Sequence, residues 1–493
     1  MALFRRSGAK SHRRFDVESV TAIQPPSSKH DEAIVSLNMP DSPRRDDVQK
    51  IQPLNEQAIP RFRFTSAPTS KPRYMKREFA SEAVELLDLW QVFTPTRPQM
   101  ADQLFIGRQS VIERIISAIE EEHAHVVIYG GRGIGKTSLS NVIAESARSA
   151  GYHVARCACD SETNFEQLFG DFLRRLPVDL MDRSAQGNGP PVQSFDQLLD
   201  SGRLSPTDLS IIFGNLIERV ILIIDEFDRV HDENFKRKMS EAIKVISDTT
   251  DLLTIVILGI SQTLDELLGH HLSIQRQIMA IRLPLMEDTE VQALLCQGEI
   301  KARIKFDDAV QTAIITLSKG TPYYVHLLAL LAGRHGLGRN SKTIVCEDLR
   351  AAISDVLSEA DPKLAKAYED ATRAESNQFM TDIMFAAAVA PMDRYGRFGA
   401  EEAMKELEAY SGKPHPILND FCGLTQLSKN EKSRILKLTV SEVGANTYEF
   451  TNPLMRHYIL FRQAERRGMI ASLDGSRRGA EDQKAPALVG DNL

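Results

Sequence analysis

The spacing of hydrophobic positions along the chain changes near residues 283 and 375, which divides the sequence into three segments of different pattern. In the first segment, short aliphatic runs alternate with stretches whose apolar residues recur at helical spacing. The runs HVVIY, YHVARCA, RVILIIDEF and LLTIVILGIS predict strands, and stretches such as RQSVIERIISAIEEE and NFEQLFGDFLRRL predict helices. Unbroken aliphatic strands between amphipathic helices are typical of a parallel sheet covered on both faces. We therefore predict an α/β domain here.

The strand pattern disappears after Leu283, and the next segments, such as FDDAVQTAIITLSKG and CEDLRAAISDVLSEA, predict a helical domain that lies on the α/β domain. After residue 375, three helical segments precede two short strands, RILKLTV and TYEFTN, and a last helix, PLMRHYILFRQAERR. Three helices and a β-hairpin are the parts of a winged helix. The predicted units are a leader (1–85), the α/β core with an N-terminal arm (86–283), the helical domain (284–372), a winged-helix domain (373–470) and a disordered tail (471–493).

Composition and charge narrow the function. A net charge of −7 argues against a generally basic nucleic-acid coat. Residues 1–80, however, hold 15 Lys and Arg against 9 Asp and Glu in a Pro- and Ser-rich context, which predicts a largely disordered leader. This leader either contacts nucleic acid or a partner, or is simply solvated. No stretch approaches the roughly 20 apolar residues of a membrane span. The five scattered cysteines and the absence of a signal-peptide core at the start predict a cytoplasmic protein with no membrane association.

The stretch GGRGIGKT, residues 130–137, fits the phosphate-binding pattern G-x-x-x-x-G-K-[ST] between a predicted strand and a predicted helix. Glycines let backbone N–H groups turn toward phosphate oxygens, and the positive end of the following helix favours the same anions. Lys136 is expected to reach the β- and γ-phosphates, and the Thr137 hydroxyl to ligate Mg²⁺. The predicted cofactors are ATP and Mg²⁺. The predicted contacts are Gly130, Gly131, Arg132, Gly133, Ile134, Gly135, Lys136, Thr137 and Ser138.

Polar residues end two of the other predicted strands. Asp225 follows five aliphatic residues and is expected to hold Mg²⁺ with Thr137, and Glu226 to orient the attacking water. The alternative is that these acids merely terminate a strand. Ser261 ends LLTIVILGIS and is predicted to be a polar sensor near the γ-phosphate. The predicted catalytic residues here are thus Lys136, Glu226 and Ser261.

Together these motifs resemble those of the AAA+ ATPases, in the branch near the origin-recognition replication initiators and the STAND signalling ATPases. The resemblance extends from about Phe93 to Tyr458. FIGR resembles the GR box, which implies that Arg108 starts the helix beside the nucleotide base. ILGIS resembles sensor 1. KGTPYYVHLL resembles the G-x-P motif of the helical lid, which implies that Pro322 starts a helix facing the nucleotide.

The chain departs from the family pattern at one lid position, and the arginine that would enter a neighbour's site is not uniquely assigned. Initiator-type members often carry a lid arginine at the γ-phosphate, but this chain has no arginine in that helix before Arg334. That favours the STAND-like side. Arg276 lies where the family places an arginine that enters a neighbour's site, which implies a homo-oligomer. Arg282 is the rival position, and a surface arginine without this role is the alternative.

The resemblance implies a switch whose nucleotide state controls oligomerisation and engagement of DNA or an unknown protein partner. The predicted recognition helix of the winged-helix domain is basic mainly at its ends, at Lys413, Lys429, Lys432 and Arg434, and contains Asp420. Phosphate binding needs clustered basic residues, so contact with DNA and contact with protein both stay open. The alternative function is a nucleotide-stabilised scaffold with little turnover.

Overall fold

The central element of the first half of the chain is a five-stranded parallel sheet. A computed structural model describes residues 81–95, 106–181, 204–261, 263–269, 274–372, 377–393, 396–411, 424, 427–428, 435–440 and 446–466. The strands are β1 (His125–Gly130), β2 (His153–Ala158), β3 (Val220–Asp225), β4 (Leu253–Ile260) and β5 (Ile278–Arg282), in the order β2-β3-β4-β1-β5. The predicted parallel α/β fold is confirmed. The strand β5 was missed, because IMAIR at the sheet edge is only partly buried and lacks a long aliphatic run.

Helices cover both faces of this sheet. The helices of this half of the chain are α1 (Ser81–Val92), α2 (Gln109–Glu120), α3 (Lys136–Ser149), α4 (Phe165–Arg175), α5 (Pro206–Phe213), α6 (Glu233–Ser247) and α7 (Leu264–Leu268). One apolar core lies between the sheet and α4, α5 and α6, and a second lies between the sheet and α2 and α3. All six residues of β3 are buried, which explains why its sequence is aliphatic without alternation.

Because the strands are parallel, the loops that follow β1, β3 and β4 all lie at the same end of the sheet. Gly130 at the end of β1 is paired with Ile260 at the end of β4, and Asp225 ends the neighbouring β3. Residues that follow the carboxyl ends of these strands therefore meet at this edge, which is where open α/β sheets bind ligands.

The second half begins with a helical domain. Its elements are α8 (Asp288–Ala302), β6 (Lys305–Phe306), α9 (Asp308–Ser318), α10 (Pro322–Gly338), β7 (Thr343–Ile344), α11 (Cys346–Ser358) and α12 (Pro362–Thr372). The two-residue strands β6 and β7, which pair in parallel, were not foreseen. Helix α1 packs here as well. Its buried Leu89, with Phe93 just beyond its end, belongs to the apolar core of the helical domain.

The C-terminal elements are α13 (Asn377–Val389), β8 (Arg397–Gly399), α14 (Ala400–Ser411), β9 (Leu436–Val440), β10 (Asn446–Phe450) and α15 (Leu454–Arg466). The strands form an antiparallel sheet in the order β8-β10-β9. Most of the third predicted helix, including Asp420, and its flanking Lys413, Lys429, Lys432 and Arg434 lie outside the described residues. The leader and the tail also lie outside them. The winged-helix assignment therefore stays a prediction. None of the described helices is long and apolar enough to cross a bilayer.

Candidate nucleotide-binding site

The glycine stretch forms a loop between β1 and α3, as its pattern predicts. Gly130, Gly133 and Gly135 all have positive φ, and α3 begins at Lys136. At Gly133, φ is 77° and an added Cβ would lie 2.9 Å from the Cβ of Tyr323. Any other residue there would be strained and would also collide with the helical domain. The loop therefore has the shape of a phosphate cradle, with the amino end of α3 directed at it.

Lys136 lies under this loop and is buried. Its Nζ donates hydrogen bonds to the carbonyl oxygens of Gly130 at 3.0 Å and Gly131 at 2.8 Å. Burial lowers the pKa of Lys136 to about 8, against the opposing effect of nearby Asp228 and Asp225. The ammonium is thus held within the loop, where a bound polyphosphate would provide the anionic partner that it lacks.

The predicted metal-binding pair meets across the two motifs. The Thr137 hydroxyl donates to Asp225 Oδ2 at 3.2 Å, although the two residues are 88 positions apart. The other oxygen of Asp225, Oδ1, accepts from the backbone N–H of Glu226 at 2.9 Å. A hydroxyl beside a carboxylate at the end of a phosphate cradle is the oxygen-rich donor set that Mg²⁺ takes together with nucleotide phosphates. The residues present therefore fit a nucleotide-bound Mg²⁺ ion.

Glu226 stands in a strained turn immediately after β3. Its φ is 56°, in the left-handed region, and its Oε2 lies 3.1 Å from Nε of Arg229. Strained backbone of this kind is concentrated at functional sites. Nearby, Asp228 Oδ1 accepts from the Ile260 backbone N–H at 2.7 Å and so joins this turn to the end of β4.

One cavity, of about 490 Å³, contains the loop, Thr137, Asp225 and Glu226. It continues past Arg108 to Pro322 and Tyr323 of the helical domain. Arg108 donates from Nη2 to the Pro284 carbonyl oxygen at 3.0 Å, and burial lowers its pKa to about 10. Its side chain is enclosed beside the loop, as expected for a residue at the nucleotide.

Comparison with known proteins agrees with this geometry. Residues 104–255 match the family model of the AAA ATPase domain. The chain carries an AAA ATPase domain. This match, over residues 104–255, supports an ATPase activity.

Several solved structures are similar to this ATPase. Cdc6p from Pyrobaculum aerophilum is 12% identical, with 76% of this chain and 99% of that chain covered and a TM-score of 0.39. The ORC2 protein of Aeropyrum pernix is 13% identical, with 79% and 98% covered and a TM-score of 0.41. The Walker-type ATPase of Pyrococcus abyssi is 14% identical, with 74% and 98% covered and a TM-score of 0.42. None of the curated proteins matches the chain.

The helical domain of the ATPase rests directly on the phosphate loop, as a lid. The backbone N–H of Tyr323 donates to the Gly133 carbonyl oxygen at 3.2 Å, and Pro322 starts α10 at the cavity. Gly320 has φ 71° and its carbonyl oxygen accepts from the Met286 N–H at 2.8 Å. The G-x-P segment is thus fixed at the junction between the core and the lid.

Ser261 directly follows the last residue of β4, and its hydroxyl is engaged away from the cavity. Its Oγ lies 2.6 Å from the Thr263 carbonyl oxygen and 2.8 Å from Glu266 Oε2, at the start of α7. The part of this strand end that lines the cavity is Gly259 and Ile260. A sensor role for Ser261 stays a prediction, and it requires the hydroxyl to leave these partners.

Arg276 and Arg282, the two arginines that could enter a neighbouring subunit's site, lie at opposite ends of the edge strand β5. Arg276 is exposed and lies two residues before Ile278, the first residue of β5. Ile278 is paired with His125 at the start of β1. A six-residue strand spans roughly 16 Å, so the backbone of Arg276 lies at the end of the sheet away from its own phosphate loop. Arg282 is paired with Tyr129 at the loop edge of the sheet. Contact with a neighbouring site by either residue stays a prediction.

Part of the cavity lining has the apolar character expected of a site for a nucleotide base. Its walls are apolar, with Ile106, Met286 and Leu294, and it also contains His326 from α10. His326 is 7% exposed, and its Nδ1 has no hydrogen-bond partner among the residues that the structure describes. Burial lowers its pKa to about 4, so the ring is neutral at pH 7 and offers one donor and one acceptor. Sequence reasoning missed His326, because the G-x-P motif ends before it.

We expect His326→Leu to weaken ATP binding by about 3- to 10-fold, the value of one hydrogen bond to the base edge. Binding of inorganic tripolyphosphate, which has no base, should be unchanged. Isothermal titration calorimetry with both ligands measures the difference. His335→Leu is the matched control, since His335 lies on the same helix but is bonded to Asp355 at 2.8 Å. An equal loss for both ligands would show that His326 supports the fold and not the base.

Proposed function

We propose that this ATPase is a molecular switch of the origin-recognition or STAND-like kind, in which ATP held between core and lid controls oligomerisation and engagement of DNA or a protein partner. The observation that carries this proposal is the direct contact between the phosphate loop and the lid, at Gly133 and Tyr323. Because the loop must accommodate the phosphates, a change of nucleotide acts on the lid without an intermediate element.

A second contact extends this connection to the C-terminal domain. The ring of Tyr324 stacks on His457 of α15 with ring centroids 3.9 Å apart, and Phe461 packs edge-on against the same tyrosine. His457 Nε2 lies 3.0 Å from the Ser318 carbonyl oxygen of the lid. Lid and C-terminal helices also share one apolar core. A lid movement at Tyr323 would therefore be transmitted to α15 through the adjacent tyrosine.

The residues of the cavity divide the chemistry among them. Lys136 and the loop amides hold the phosphates, while Thr137 and Asp225 hold Mg²⁺. The metal would neutralise charge that develops on the transferring phosphoryl group. Glu226 orients the attacking water, for which its carboxylate must leave Arg229. The ion pair of Glu226 with Arg229 favours slow turnover until a neighbour or partner rearranges this turn.

The proposed switch is tested by comparing the molar mass of the protein with ATP analogue bound and with ADP bound. We expect size-exclusion chromatography with light scattering to show a larger species in a non-hydrolysable ATP analogue than in ADP. Duplex DNA added to the same samples separates a DNA-engaging assembly from a protein sensor. A mass that is the same in both nucleotides, with and without DNA, would contradict the switch.

The variant Arg276→Ala tests the proposed contact of Arg276 with the nucleotide site of a neighbouring subunit. We expect the variant to bind ATP normally but to lose about 10³-fold or more of the turnover of the assembled form, the scale of a trans arginine. Arg282→Ala, measured in the same assay, tests the rival position. Unchanged turnover of Arg276→Ala at concentrations where oligomers form would remove Arg276 from the site.

A further inference from the structure

An arginine that sequence reasoning did not single out contacts the metal-binding carboxylate. The guanidinium of Arg156, on β2, donates from Nη2 to Asp225 Oδ2 at 2.6 Å. The same Nη2 lies 3.0 Å from Ser140 Oγ, and Nη1 donates to Asn141 Oδ1. Both latter residues belong to α3, directly after the phosphate loop. The guanidinium thus bridges this helix and Asp225.

The register of the sheet explains this contact. In the parallel pairing of β2 with β3, Ala158 is opposite Asp225. Arg156 precedes Ala158 by two residues, and side chains two positions apart on a strand point to the same face. Arg156 and Asp225 therefore project from one face of the sheet, the face on which α3 packs. The register of β2 on β3 therefore accounts for the ion pair between Arg156 and Asp225.

Both carboxylate oxygens of Asp225 therefore accept hydrogen bonds. Oδ1 accepts from the Glu226 N–H, and Oδ2 accepts from both Thr137 and Arg156. The Asp225 side chain is only 12% exposed, and a largely buried carboxylate needs a cation or strong donors. Arg156 supplies that cation within the protein. A Mg²⁺ ion placed between Thr137 and Asp225 would meet both an occupied oxygen and a fixed positive charge nearby.

We propose that Arg156 is a positioning residue that acts as a counter-cation for Asp225 and lowers the affinity of the nucleotide site for divalent metal. This inference rests on the metal site proposed above. Arg156 keeps Asp225 beside Thr137 before metal arrives, and the metal binds against its charge. The occupancy of the site then depends on the free divalent-cation concentration as well as on the nucleotide.

The test measures metal affinity directly, with Mn²⁺ as the probe. Full-length protein is saturated with ADP, and bound Mn²⁺ is followed by the loss of the free-ion electron paramagnetic resonance signal. We expect Arg156→Gln and Arg156→Met to bind Mn²⁺ about tenfold more tightly than the wild type, because the repulsion between like charges is removed. The methionine variant keeps an unbranched side chain that packs beside α3 and guards against a folding defect of the glutamine variant.

Two further variants identify charge as the cause. Arg156→Lys keeps the charge and should stay within about twofold of the wild type, since Coulomb repulsion is largely retained. Arg174→Gln removes the charge of an exposed arginine paired with Asp171, and should leave Mn²⁺ affinity unchanged. Equal or weaker Mn²⁺ binding by both neutral variants would overturn the proposal. ADP binding is measured first in EDTA; if the wild type binds no ADP, the nucleotide site itself is wrong and the inference falls with it.

Discussion

Replacing Lys136 with alanine is expected to weaken ATP binding strongly while the fold stays intact. The lysine is the cation within the loop, and its Nζ donates hydrogen bonds to the carbonyl oxygens of two loop residues. Loss of one partner of a buried charge pair costs about 2–5 kcal/mol, and each 1.4 kcal/mol is tenfold in affinity. We therefore expect ATP affinity to fall by roughly 30- to 3,000-fold in calorimetry. Because burial disfavours the ammonium, its removal should not lower the melting temperature.

The pH dependence of binding gives an independent check on Lys136. In the free protein its pKa is lowered to about 8 by burial, and bound phosphates would raise it again. Above pH 8, ATP binding should therefore take up a proton, and affinity should decrease as pH rises. Calorimetry at pH 8.5 in buffers of different ionisation enthalpy measures this uptake. Lys236→Ala, which removes an ion pair with Glu233, is the control and should keep it. Unchanged ATP affinity in Lys136→Ala would contradict the site.

The part of the site that the sequence predicts well is the part built by strand ends. Gly130 and Asp225 are preceded by unbroken aliphatic runs, so their strands could be recognised, and parallel strands place their carboxyl ends at one edge. The contact between Thr137 and Asp225 follows from these two facts. The strand β5 was missed because an edge strand is half exposed, and its short apolar pattern does not distinguish it from a helix.

What the sequence did not predict depends on contacts between distant segments. The pairing of Arg156 with Asp225 requires the register of β2 on β3, which the composition of neither strand encodes. The place of His326 requires the lid to lie on the core. Helix α1 gave no sign that it packs on the lid, because its apolar residues would fit either domain. In each case the missing information was the packing of one element on another.

Replacing Glu226 with glutamine is expected to separate ATP binding from hydrolysis. Glutamine keeps the size of the side chain but cannot accept the proton of the attacking water, and such a group is worth about 10²- to 10⁴-fold in rate. ATP affinity should stay near the wild-type value, because Lys136 and the loop hold the phosphates. Single-turnover measurement of ADP formation gives the rate. Glu233→Gln is the matched control, since Glu233 is an exposed glutamate at the start of α6.

The same variant decides between a switch and a scaffold. In a switch, Glu226→Gln should hold ATP and accumulate the assembled form, because hydrolysis no longer resets it. In a scaffold that uses nucleotide for stability, Glu226→Gln should behave as the wild type, whereas Lys136→Ala should lose function. The ion pair between Glu226 and Arg229 is compatible with either, because Glu226 can orient the attacking water only once its carboxylate leaves Arg229. Normal ADP formation by Glu226→Gln, with ATP binding intact, would show that another group activates the water and would remove Glu226 from catalysis.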